Sequence, residues 1–156
     1  MAQEIRAELK KQGITSRQVS VKSGICGYSD YLNITIKTAE IDIDKVFEIA
    51  KPYQYVDRDE VNGEILQGGN TYLRVKYSDN AFDGVEDAYL PRAEQLIQEV
   101  TKGDYIAVQI NDDAHLSHSC NGWIKLYDDN SLDRTVVHGA HDLAEYLYKL
   151  DKFGHI

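Results

Sequence analysis

The sequence predicts an α+β fold: antiparallel sheet with helices packed on one face. Three features point there. Four segments carry apolar residues at helical spacing, short runs of apolar–polar alternation lie among them, and glycine-bearing turns separate the runs. Their order reads as two sequential helix-plus-hairpin units, residues 1–78 and an acidic 79–156. With 156 residues and no Pro/Gly/Ser-rich linker, the two are expected to form one compact globule.

The elements follow in order. Over residues 3–12, Ile5 and Leu9 lie four apart among Arg6, Lys10 and Lys11, and Gly13 suits the position just past a helix end. Val19 and Val21, then Leu32, Ile34 and Ile36, alternate with polar residues as half-buried strands, with residues 24–30 as the loop between them. Asp44 is placed to cap a second helix that presents Val46, Phe47 and Ala50 and ends at Pro52. Gly68-Gly69-Asn70 predicts a hairpin between residues 64–67 and 71–77, with Leu73, Val75 and Tyr77 on one face. After a loop over 78–90, Pro91 opens a third helix bearing Ala93, Leu96, Ile97 and Val100, with Gly103 as its stop. Residues 105–110 and 122–127 read as strands around an irregular loop, 111–121, and 135–138 as a short strand. The last helix, 141–151, lines up Leu143, Tyr146, Leu147 and Leu150.

Charge constrains function more than any motif does. The net charge is −9, yet residues 1–37 carry six Lys/Arg against three acids, leaving −12 on residues 38–156. The acids cluster: Asp79, Asp83, Glu86 and Asp87 without an intervening base, then Asp112–Asp113, then Asp128–Asp129 with Asp133. Such clusters repel nucleic acid and attract basic surfaces. The expected partner is therefore a basic nucleic-acid-binding protein, with no direct nucleic-acid contact. Asp79, Asp83, Glu86, Asp87, Asp112 and Asp113 are the expected contact residues, with Tyr89 as an aromatic anchor. Eleven tyrosines against three phenylalanines also favour interfacial use, and Tyr28, Tyr31, Tyr53, Tyr55 and Tyr89 lie in or beside loops. No apolar run approaches the ~18 residues of a membrane span, and the N-terminus lacks a signal peptide's apolar stretch. A cytoplasmic protein without membrane contact is expected, with Cys26 and Cys120 as reduced thiols.

No residue set predicts catalysis, so an enzyme is not expected, nor any cofactor. His115-x-x-His118-x-Cys120 has zinc-ligand types, but a fourth ligand, Cys26 or His138, could join it only through folding, and no Cys-x-x-Cys pair accompanies it. His138-x-x-His141 straddles Gly139 and cannot present one helical face. Asp57-x-Asp59-x-Val61-Asn62-Gly63-Glu64 departs from a calcium loop at its fifth and sixth places. Gly24-Ile25-Cys26-Gly27 has the spacing of an RNA-clamping glycine loop, but lies between strands instead of helices. Nucleophilic catalysis at Cys120 would need a base and an orienting group, and adjacency in sequence does not aim His118 at the thiol.

Ile5-Arg6-Ala7-Glu8-Leu9-Lys10-Lys11, followed by Val19-Ser20-Val21-Lys22-Ser23, resembles the start of a large polyvalent protein-associated domain of phages and conjugative elements. Leu32-Asn33-Ile34-Thr35-Ile36 fills that domain's second strand, residues 44–53 its helix, and Gly68-Gly69-Asn70-Thr71-Tyr72 its final hairpin. The likeness covers residues 3–78, without the usual Trp-x-x-Gly-Pro after the second strand. It implies an anti-defence context and transfers no catalytic residue. Joined to the acidic second half, it leads to an expectation of a DNA-mimicking inhibitor of a host nuclease. The target would be an RNA-guided nuclease, making this an anti-CRISPR protein, or a restriction enzyme. The competing expectation is a nucleic-acid-binding accessory factor using Arg6, Lys10, Lys11, Arg17 and Lys22.

Overall fold

The computed structural model describes residues 1–128 and 134–156. The chain forms two compact units, Met1–Ala81 and Phe82–Ile156. Both are α+β, and each has its own apolar core.

In the first unit, α1 (Ala2–Lys11) buries Ile5 and Leu9. It ends in a Schellman motif: Gly13 N–H donates to Lys10 O at 3.0 Å and Ile14 N–H to Leu9 O at 2.9 Å. Gly13 takes φ +79°, as that motif requires. Strands β1 (Val19–Cys26) and β2 (Ser29–Ile36) pair antiparallel around a two-residue turn, Gly27-Tyr28. The expected loop over 24–30 is therefore mostly strand. Gly24 survives inside β1 because Tyr31, its partner on β2, lays its ring where a Cβ would stand.

Helix α2 (Ile43–Ala50) is capped by Asp42, which accepts from Asp44 N–H at 2.9 Å. Asp44, the expected cap, sits instead in the first turn, where the helix dipole favours a carboxylate. A 3-10 turn, Lys51–Tyr53, accommodates Pro52. Strand β3 (Thr71–Tyr77) then pairs with β2 in parallel, so this sheet is mixed and ordered β1-β2-β3. The predicted hairpin over 64–77 does not form. Gly68 and Gly69 do take positive φ, but Ile65 bridges Arg58 and β3 joins β2 through a β2–α2–β3 crossover. Register aligns Val21, Ile34 and Val75 in one row and Val19, Ile36 and Tyr77 in the next. These rows and the buried faces of both helices make the core.

In the second unit, α3 (Leu90–Val100) takes Pro91 in its first turn and buries Ala93, Leu96 and Val100. Four strands follow as an antiparallel meander: β4 (Ala107–Asn111), β5 (Ala114–His118), β6 (Ile124–Asp128) and β7 (Arg134–Val137). Residues 111–121 are thus not an irregular loop. They hold β5, whose alternating Ala114 and Leu116 are fully buried but whose polar partners hid the pattern. Helix α4 (Ala140–Phe153) closes the unit, burying Leu143, Ala144, Leu147, Tyr148 and Leu150. Its C-cap, Gly154, is left-handed at φ +82°.

Candidate functional site

Division of the chain sharpens the charge asymmetry. Residues 82–156 hold six Lys/Arg and 14 Asp/Glu, a net of −8, while residues 1–81 hold 11 and 12, a net of −1. Nearly all of the excess charge belongs to the second unit.

Within that unit, two acidic segments meet the same end of α3. Asp83, Glu86 and Asp87 lie in the turn and 3-10 segment that lead into the helix. Arg92, in the first turn of α3, donates to Ile110 O at 2.9 Å and so holds the end of β4 there. The β4–β5 turn carrying Asp112 and Asp113 follows at once, shaped by Asp113 N–H donating to Asn111 Oδ1 at 2.9 Å. Asp83, Asp87, Asp112 and Asp113 are exposed, and none forms an ion pair among the described residues. These four exposed carboxylates remain available to an outside cation.

The other expected contact residues differ in setting. Glu86 is half-buried, with Oε1 3.5 Å from His141 Nδ1. Tyr89 is half-buried too: its hydroxyl donates to Asp151 at 2.7 Å and its ring meets Tyr148 edge-on. Asp79 is exposed in the turn after β3, in the first unit. Of the third acidic group, Asp128 is buried in β6, and Asp129 and Asp133 lie outside the described residues.

The residues considered for metal chemistry are not brought together. His115 and His118 are three apart on one strand, an odd spacing that sends them to opposite faces. His115 stacks on Tyr127 at 4.9 Å, and His118 Nδ1 lies 3.0 Å from Gly103 O. Cys120 sits exposed in the following turn, and interaction with its thiol raises the pKa of the Tyr105 phenol above its ordinary value. Tyr105 is itself at φ +59°. In the calcium-like stretch, Asp59 accepts from Val61 and Asn62 N–H at 2.8 and 3.0 Å, and those amides hold its carboxyl below the usual range. It is a turn-former.

The first unit carries a different surface. Neither of its helices covers the outer face of its sheet, where residues alternate with the buried rows. There Lys22, Asn33 and Arg74 form one row and Ser20, Thr35 and Lys76 the next. Gly24, Tyr31 and Tyr72 form a third. The exposed Tyr28, with Ile65, Leu66, Asn70 and Tyr72, lines a hollow of about 280 Å³ at that end of the sheet. Sequence reasoning singled out Lys22, Tyr28 and Tyr31, but missed Tyr72, Arg74 and Lys76. Their period-two spacing was visible but was read only for its apolar partners.

Among the five bases of the competing expectation, Arg6 donates to Val21 O and Lys11 pairs with Glu8 at 2.7 Å. Comparison with family models, with characterised proteins and with solved structures finds no match to this chain.

Proposed function

We propose that this protein is an acidic inhibitor whose second unit occupies the basic nucleic-acid-binding surface of a host protein. The observation that carries this reading is the net charge of −8 on residues 82–156, with Asp83, Asp87, Asp112 and Asp113 exposed at one end of α3. A protein groove lined with Lys and Arg for phosphates meets the same charges in these carboxylates. The mobile-element resemblance of residues 3–78 points the proposal to a nuclease, RNA-guided or restriction, acting in the host cytoplasm. No catalytic step is part of it. Among the described residues, no helix is long and apolar enough to cross a membrane, which accords with a partner outside the bilayer.

The test is competition between this protein and labelled DNA for purified nucleases of both types. The expected result is displacement of DNA that weakens as salt rises. The variant Asp83→Lys, Asp87→Lys, Asp112→Lys and Asp113→Lys should lose displacement while keeping its melting temperature. Glu86 and Tyr89 are left out of that variant because both have partners inside the unit. Removing a carboxylate buried against a partner cation is expected to cost roughly 2–5 kcal/mol of binding, chiefly through off-rate. Equal displacement by parent and variant would refute the reading, as would no displacement from any nuclease.

A further inference from the structure

The uncovered face of the first unit's sheet has a chemistry opposite to that of the second unit. Its side chains include three cations, Lys22, Arg74 and Lys76, and no carboxylate. All three are exposed, and none forms an ion pair among the described residues. Several other bases of this unit are occupied: Lys37 donates to Ser16 O at 3.3 Å, Arg58 to Gly63 O at 3.1 Å, and Lys51 pairs with Glu48 at 3.1 Å. A sheet face that leaves its three cations without partners is arranged for an outside anion.

We propose that this face binds single-stranded nucleic acid, an inference that goes beyond the inhibitory reading and does not depend on it. Bases rest on Tyr31 and Tyr72, with one entering the hollow beside Tyr28, while the phosphates run along Lys22, Arg74 and Lys76. The geometry has three supports. Tyr31 and Tyr72 are cross-strand neighbours, and Gly24 leaves room for the Tyr31 ring to lie across β1. On β3, Tyr72, Arg74 and Lys76 succeed one another on one face at about 6.6 Å per step, twice the strand rise. That is an extended track, suited to an extended backbone. The hollow, about 280 Å³, has room for a ring system and carries polar groups from Gln67 and Ser29 for its edges.

Aromatic rings flanked by cations are the general means of holding single strands, because every base offers a face to stack on. A duplex keeps its bases stacked internally and could use only the cations. An acidic protein segment could likewise use the cations but would leave the tyrosines idle. Net charge does not forbid the contact. At physiological salt, interactions between exposed charges are screened over about 8 Å, so the local face decides.

The experiment is fluorescence anisotropy of labelled single strands of ~20 nucleotides with the full chain, from about 50 to 200 mM salt. The same titration is run with duplex DNA, and with polyglutamate as competitor. Single strands should bind more tightly than duplex, and polyglutamate should compete poorly. Three phosphate contacts predict a slope near −2 in log affinity against log salt. The variant Lys22→Glu, Arg74→Glu and Lys76→Glu should bind at least tenfold more weakly. Tyr72→Ala should weaken binding severalfold, with Tyr72→Phe restoring it, because stacking needs only the ring. If the reversed variant is misfolded by circular dichroism, Lys22→Gln, Arg74→Gln and Lys76→Gln gives the same reading. No binding by the parent at low salt would overturn the proposal. So would equal binding by parent and charge variants, equal affinity for duplex, or full displacement by polyglutamate, which would assign the face to an acidic protein. None of these results bears on nuclease displacement, which uses the second unit's acids.

Discussion

Tyr89 donates its hydroxyl to Asp151 Oδ2 at 2.7 Å, so the segment entering α3 is fastened to the last turns of α4. The same ring packs edge-on against Tyr148 at 5.8 Å. A side chain held at both its ring and its tip is a brace for the acidic end of α3. Tyr89→Phe keeps the ring and removes the bond, and should lower stability by about 1 kcal/mol at neutral pH. The bond to Asp151, with burial adding to it, raises the phenol's pKa above its ordinary 10.0. A raised pKa means that the neutral phenol is favoured in the folded state. Its contribution is complete below 10.0 and is lost as pH rises through the folded value. Urea titrations of parent and variant should therefore differ at pH 7 and converge in alkali. A difference that persists unchanged at high pH would contradict this account.

Glu145 gives a prediction of the same sign at the acidic end of the scale. It is half-buried on α4, and burial raises its pKa above 4.5; Lys149 opposes this, and the charges of Glu86 and Asp142 add to it. The folded state therefore holds this proton more tightly than the unfolded chain, and ionising it costs stability as pH rises past 4.5. Glu145→Gln should raise the melting temperature at pH 7. The gain should vanish below pH 4.5, where the parent residue is neutral in both states. A variant that melts lower than the parent at pH 7 would show that attraction from Lys149 outweighs burial.

Gly13 sets the exit from α1. Its φ of +79° is costly for any residue with a Cβ, and nothing lies within 4 Å of where that Cβ would be. The cost of Gly13→Ala is thus conformational, with no clash, and should be about 1 kcal/mol. Gly13→Asn should recover part of it, because asparagine tolerates the left-handed region. Equilibrium unfolding of the three proteins separates this from a packing effect, in which the larger asparagine would be the worse.

How far the sequence revealed this structure depends on which physical signal each element used. Helices α1, α3 and α4 announced themselves through apolar spacing, with Gly13 and Pro91 marking two ends, while α4 runs past the expected 151 to Phe153, where Gly154 caps it. Strands were legible where one face was apolar, as in Leu32, Ile34 and Ile36. Strand β5 was not, because Ala114 is small and histidine and serine fill its other positions. Gly24 looked like a loop residue, and only the cross-strand Tyr31 explains it. Strand direction was invisible, since Leu73, Val75 and Tyr77 alternate identically in parallel and antiparallel pairing. At the candidate site, charge clustering was plain from residues alone. Which carboxylates remain exposed and which, like Glu86, are partly enclosed depends on helix packing that no local pattern records.

Asn70 supports the hollow and offers the severest test of the first unit's architecture. It is only 2 % exposed, and both ends of its amide are used. Oδ1 accepts from Asp57 N–H at 2.6 Å and Nδ2 donates to Leu66 O at 2.7 Å. Its backbone carbonyl accepts from Asp30 N–H at 2.8 Å, which continues the β2–β3 pairing. One side chain thus ties the long segment before β3 to the sheet. Asn70→Ala leaves the Asp57 N–H and the Leu66 carbonyl, both only partly buried, without this partner, and should cost about 1–3 kcal/mol in all. Asn70→Asp keeps the acceptor for Asp57 N–H but removes the donor to Leu66 and buries a charge, so it should be no milder at neutral pH. Both variants should expose residues 54–70 to limited proteolysis, with β1 and β2 still protected from hydrogen exchange. If Asn70→Ala unfolds at the same denaturant concentration as the parent, that segment is not held by the amide, and the hollow is not built as described.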